Sequence, residues 1–130
     1  MLNNVILVGR IVRQPELMTT QEEKQVSNIT LAITRTYKNL VTGEYDTDFI
    51  NVALWESLAK NVTEYCGKGD IIGIRARLIH RTYEIPNFKS IRTVEVVGER
   101  VSFIHTKSNE ISLESENEHL APKPLAEAIV

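Results

Sequence analysis

The chain has 130 residues, 42% of them hydrophobic and 25% charged, with a formal net charge of −2, which suits one domain plus a tail. Its one cysteine, Cys66, excludes an internal disulfide and offers no metal-site spacing, as expected in a reducing compartment. No apolar run approaches the roughly 18 residues of a membrane-spanning helix, and no basic segment precedes an apolar stretch at the start, so a cytoplasmic protein with neither membrane span nor signal peptide is expected.

The net charge is unevenly divided. Met1 to Lys107 carries 14 Lys and Arg against 12 Asp and Glu, whereas Ser108 to Val130 carries 1 against 5. The first part is mildly basic and the acidity belongs to the end of the chain.

Val5 to Val12 is apolar apart from Gly9 and Arg10, and reads as a strand buried on both faces, ended by Pro15. Thr19 to Lys24 reads as a polar loop. A second strand covers Val26 to Arg35, with Ile29, Leu31 and Ile33 alternating against Asn28, Thr30, Ala32 and Thr34. Tyr37 to Glu44 is rich in turn formers and reads as the arm of a hairpin.

The third strand, Asp48 to Trp55, puts Ile50, Val52 and Leu54 on one face and Phe49, Asn51, Ala53 and Trp55 on the other. Two of the few large aromatics thus lie away from the aliphatic face. Either further protein packs over them, or something with flat apolar surfaces binds there. Leu58, Val62 and Tyr65 then mark one face of a short helix, with Gly67 where a C-cap glycine is common.

A fourth strand starts at Gly69-Asp70, with Ile72, Ile74, Ala76 and Leu78 pointing one way. His80 to Lys89 reads as a second long arm. A fifth strand runs from about Ile91 to Ile104, where Gly98 marks a bulge or bend. Five strands with one short helix between the third and fourth form an all-β domain expected to close into a barrel. That domain spans residues 1–106. Residues 107–130 read as a short, acidic, disordered tail.

Catalysis needs convergent acids, bases, nucleophiles or ligands. His80, His105 and His119 lie far from one another and from Cys66 in sequence, and no phosphate loop, zinc-binding helix or nucleophile elbow is present. No enzyme activity, metal or cofactor is expected. What stands out is four aromatics: Tyr37 at the base of the first arm, Phe49 and Trp55 along the third strand, and Tyr83 at the base of the second arm. Rings of this kind stack on nucleobases of any sequence, and Arg35, Lys38, Lys68 and the His80-Arg81 pair are placed to follow phosphates. For each ring taken singly, ordinary packing is the alternative.

Asn4-Val5-Ile6-Leu7-Val8-Gly9 followed by Pro15-Glu16 resembles the opening of bacterial single-stranded DNA-binding proteins. So do Asn28 to Ala32, Thr42-Gly43-Glu44, Asp48-Phe49 through Val52 to Trp55, Leu58-Ala59, Tyr65, Lys68-Gly69, Arg81-Thr82-Tyr83 and Thr93 to Val96. The resemblance runs in order from about Leu2 to Ile104. It implies a five-stranded OB-fold barrel that assembles as a homotetramer and binds single-stranded DNA in replication, recombination and repair, associated with the bacterial nucleoid. It implies base stacking at Tyr37, Phe49, Trp55 and Tyr83, and phosphate contacts at Lys38, Lys68 and Arg81. It also implies subunit contacts at Arg75 and Arg77, and at the strand bearing Asn4, Val5, Ile6 and Leu7.

The chain departs from the family at its end. Members typically carry a long linker and an acidic tip ending in Pro-Phe, through which replication and recombination proteins dock; here the chain closes on Leu125-Ala126-Glu127-Ala128-Ile129-Val130. Short-tailed paralogues linked to DNA uptake, and phage or plasmid versions, are further options within the resemblance. Two functions outside it are a primosome-type adaptor working through protein contacts and a metal-dependent barrel nuclease.

Overall fold

The computed structural model describes residues 1–87 and 89–105. The acidic tail and the domain boundary at 106 therefore lie outside the described residues. In chain order the elements are β1 (Val5–Ile11), β2 (Met18–Thr19), β3 (Gln25–Lys38), β4 (Tyr45–Trp55), α1 (Ser57–Tyr65), β5 (Ile71–Tyr83) and β6 (Ile91–His105).

Period-2 alternation in the long strands gives each one face of branched aliphatics, and pairing them edge to edge brings those faces together. β1 pairs antiparallel with β5 from Val5↔Ala76 to Arg10↔Ile71, and with β3 at Arg10↔Ala32 and Ile11↔Leu31. β3 pairs with β4, β5 with β6, and β4 meets β6 in parallel at Val52↔Val96 and Ala53↔Val97. Five strands thus close in the order β1, β5, β6, β4, β3 and back to β1. This is the expected OB-fold barrel, in which closure hides most strand edges.

The interior holds Ile11, Ile29, Leu31, Val52, Leu54, Ile72, Ile74 and Ala76, and α1 adds Ala59 and Val62 to the same cluster. Each fully buried aliphatic of this size contributes about 1.5–3 kcal/mol relative to an exposed one. Gly98 keeps a close approach open, since a Cβ there would clash with Leu54 Cδ2. It also sits at the register shift between Arg75↔Arg100 and Ala76↔Gly98, the bulge expected at this position.

Several expectations change. The loop reading holds for residues 20–24, whose turn is tied by Thr20 N–H to Lys24 O at 2.8 Å, but Thr19 joins Met18 in an unexpected short strand, β2, which pairs with β3 at Met18↔Val26 and Thr19↔Gln25. β1 is not buried on both faces: Ile6 is 71% and Val8 53% exposed, because only the other side of the strand faces the barrel. Leu78 is 42% exposed, since β5 by then has left the barrel to form an arm with β6. Tyr65 does not join Val62 in the core; it is 52% exposed and meets Phe103 edge-on, with ring centroids 6.2 Å apart.

Nor is Gly67 a left-handed cap. The chain leaves α1 in extended conformation at Cys66, and Gly67 N–H donates to Asp70 Oδ2 at 2.7 Å in the turn that follows. The positive φ of that turn, 93°, falls on Gly69. Burial pushes the Cys66 thiol up to about 12, so it stays protonated and packs as a small apolar group.

Candidate nucleic-acid interface

β4 carries the centre of the site. Because Val52 and Leu54 turn inward, Phe49 and Asn51 must turn outward, and Phe49 is 65% exposed. β5 and β6 extend beyond the barrel in regular register as far as Tyr83↔Ile91, which places Tyr83 over the same outer surface. Phe49 and Tyr83 line one open groove of about 710 Å³, floored by Asn51 and Ala53 and walled by Val94, Glu95 and Arg13. Tyr83 is 46% exposed.

Trp55 ends β4 and is half-buried. It lines a second groove, between the Thr20–Lys24 turn on one side and Glu56 and Arg81 on the other. Glu95, in the lining of the first groove, is tied to the second through Arg81. This carboxylate accepts from the Tyr83 hydroxyl and, at 2.9 Å, from Arg81 Nε. The bond to Glu95 holds the Tyr83 hydroxyl above its usual range, with burial adding to the effect.

The first arm is braced in a similar way. Arg35 grips Asp48 with both prongs of its guanidinium, Nε to Oδ2 at 3.0 Å and Nη2 to Oδ1 at 2.9 Å, and Asp46 lies 3.8 Å away. The hydrogen bond from Arg35 holds the Asp48 carboxyl below its ordinary value, and the same pair raises the guanidinium further. Asn39 shapes the arm's tip, its side-chain oxygen accepting from Val41 N–H at 2.9 Å. Lys38 lies 5.8 Å from the Tyr45 ring centroid.

Of the residues singled out in the sequence, Phe49 and Tyr83 share one groove and Trp55 and Arg81 share the other. Tyr37 is 64% exposed on the first arm, outside both linings. Lys68 lies in the turn after α1, where the following N–H, of Gly69, bonds Ile11 O, and it lines neither groove. Arg75 and Arg77 face outward on β5, 3.9 and 3.6 Å from Glu99. On β1, Val5 and Leu7 are half-buried against the barrel and Ile6 is exposed, as is Asn4 just before the strand.

Sequence reasoning missed Glu95, Arg13 and the Thr20–Lys24 turn. Glu95 had a local signal, since its alternation with Val94 and Val96 puts it on a face of its own; the other two depend on pairings distant in sequence. Among the described residues, no three His, Cys, Asp or Glu side chains gather as a metal ion would require, and no helix is long and apolar enough to cross a membrane. An exposed row of rings, with cations alongside, is suited to stacking flat apolar faces joined by negative charges.

The model of the single-strand binding protein family matches residues 2–104. The single-stranded DNA-binding protein 1 of Staphylococcus aureus (strain MSSA476) is 41% identical over 110 residues, covering 85% of this chain and 70% of the relative. The single-stranded DNA-binding protein B of Bacillus subtilis (strain 168) is 36% identical over 110 residues, 85% of this chain and 96% of the relative. The single-stranded DNA-binding protein 2 of Listeria monocytogenes serovar 1/2a is 37% identical over 119 residues, 92% and 74% of the two chains. The match spans the whole barrel and both arms, and this chain belongs to the single-strand binding protein family.

Proposed function

We propose that this protein binds single-stranded DNA without regard to sequence, protecting unpaired strands in replication, recombination and repair. The observation that carries the reading is the open groove in which Phe49 and Tyr83 present their rings, with Trp55 in a second groove tied to it by the Arg81–Glu95 pair. Bases stack on these rings, and Tyr37 extends the row onto the first arm. Each stack contributes about 1–3 kcal/mol and every base has a face to offer, which is why such binding tolerates any sequence. Lys38 and Arg81 follow the backbone at the arms and Lys68 at the far end of the barrel. The role is that of a binder, not a catalyst, in keeping with the family.

The same reading includes a homotetramer. Ile6 and Val8 expose apolar surface on β1, and the edge of β1 from Val5 to Gly9 that faces away from β5 has no ladder partner among the described residues. An unpaired edge beside apolar side chains is suited to a second copy of the strand. Arg75 and Arg77 lie on the neighbouring strand and belong to the same contact. Sedimentation should give four chains per particle, and Ile6→Glu should shift it to smaller species.

The test of function is fluorescence anisotropy of labelled oligonucleotides. Mixed-sequence and dT single strands should bind within a few-fold of each other and duplex of the same length far more weakly. The double substitution of Phe49 and Trp55 by Ala should weaken single-strand binding with the melting temperature preserved. Unchanged affinity in that variant contradicts the proposal.

A further inference from the structure

Two of the cations that the sequence offers at the arms are held by carboxylates, Arg35 by Asp48 and Arg81 by Glu95. The Phe49–Tyr83 groove contains another guanidinium, Arg13, two residues beyond the end of β1. Its Nη2 donates to Thr30 Oγ1 at 3.1 Å, and the Thr30 hydroxyl donates to Asn51 Oδ1 at 2.7 Å. Thr30 and Asn51 are directly opposite each other on β3 and β4. The three side chains therefore form a polar row across the strands, and Phe49 lies on the same face of β4 as Asn51, two residues earlier. Among the described residues, Arg13 makes no ion pair with any carboxylate.

We propose that Arg13 is a phosphate-binding residue of this groove, with Thr30 and Asn51 as the residues that position it. This deepens the single-stranded DNA reading and rests on it. A guanidinium has five N–H donors in a planar fork, and the contact with Thr30 uses one prong, leaving the others for phosphate oxygens. Because the Thr30 hydroxyl spends its proton on Asn51, it can only accept from Arg13, and this fixes the direction of the fork. Arg35 and Arg81 have their charge already balanced by a carboxylate. Arg13 has no such partner to lose and can keep its hydroxyl contact while binding. A base stacked on Phe49 then has a fixed cation beside the ring for its backbone.

The test is the salt dependence of binding to a labelled dT oligonucleotide, for the full chain and for Arg13→Gln, Arg13→Lys, Thr30→Val and the Arg13→Gln/Thr30→Val double variant. Arg13→Gln should weaken binding several-fold at low salt and flatten the log–log slope by about 0.7, the value for one phosphate on a single strand. Arg13→Lys should keep the slope of the unaltered protein. Thr30→Val should weaken binding alone but cost nothing further on top of Arg13→Gln, since its effect passes through the guanidinium. An Arg13→Gln slope equal to that of the unaltered protein, with an unchanged melting temperature, overturns the proposal and leaves DNA binding standing. Additive losses in the double variant overturn the positioning role. Absence of binding by the unaltered protein at every salt concentration removes the proposed function, and this inference with it.

Discussion

The two grooves tied together by the Arg81–Glu95 pair present their rings in opposite ways. Phe49 stands on the open face of the sheet, 65% exposed, with Arg13, which makes no ion pair among the described residues, in the same lining. Trp55 is half-buried at the barrel's rim, walled by the Thr20–Lys24 turn, with Glu22 and Glu56 beside Lys24 and Arg81. One groove offers a full ring and an available cation; the other offers part of a larger ring among charges that largely cancel. The more exposed ring and the cation without an ion pair thus fall on the same side, and binding free energy should concentrate there.

The largest expected effect is that of Phe49→Ala. Loss of one full stack should weaken binding of a short oligonucleotide by about tenfold or more, since a stack contributes about 1–3 kcal/mol and 1.4 kcal/mol is tenfold. Phe49→Tyr should recover most of it in the same anisotropy assay. Trp55→Ala should cost less despite the larger ring, because part of the indole already rests on protein; a loss greater than that of Phe49→Ala would reverse the comparison. Glu22→Gln is smaller again and of opposite sign. It removes a carboxylate 3.9 Å from Lys24 Nζ, so binding should tighten at low salt, and the gain should vanish when salt screens the groove.

The smallest effect lies outside both grooves. Asp48 has its folded pKa depressed by Arg35, so the pair's contribution to stability is present above the ordinary carboxyl value of 3.8 and is lost as pH falls through the lower folded value. Asp48→Asn should therefore melt below the unaltered protein at pH 7, and the difference should close in acid. Both partners are exposed, so the shift should be modest.

Much of this arrangement was legible in the sequence, for a definite reason. Alternation along Asp48 to Trp55 separates Val52 and Leu54 from Phe49 and Asn51 with no knowledge of what packs where, so the outward rings could be named at once. Arg13 could not, because its place in the groove depends on β1 pairing with β3 and on Thr30 facing Asn51 across the sheet. β2 escaped detection because two residues are too few to show a period. The apolar run of β1 misled in another way. Ile6 and Val8 have the composition of core residues yet face outward in the single chain, and side-chain chemistry alone does not separate a core face from a face awaiting a partner. Helix-end statistics point to Gly67 as a cap because they ignore Asp70, whose carboxylate draws in the Gly67 N–H.

The most direct test of the claim that these rings await nucleobases uses the chain's single tryptophan, Trp55, as its own reporter. Titration with poly(dT) should quench its emission to a saturating end point, and added salt should reverse the quenching. Emission unchanged while anisotropy shows the DNA fully bound would place the strand elsewhere on the molecule and contradict the account.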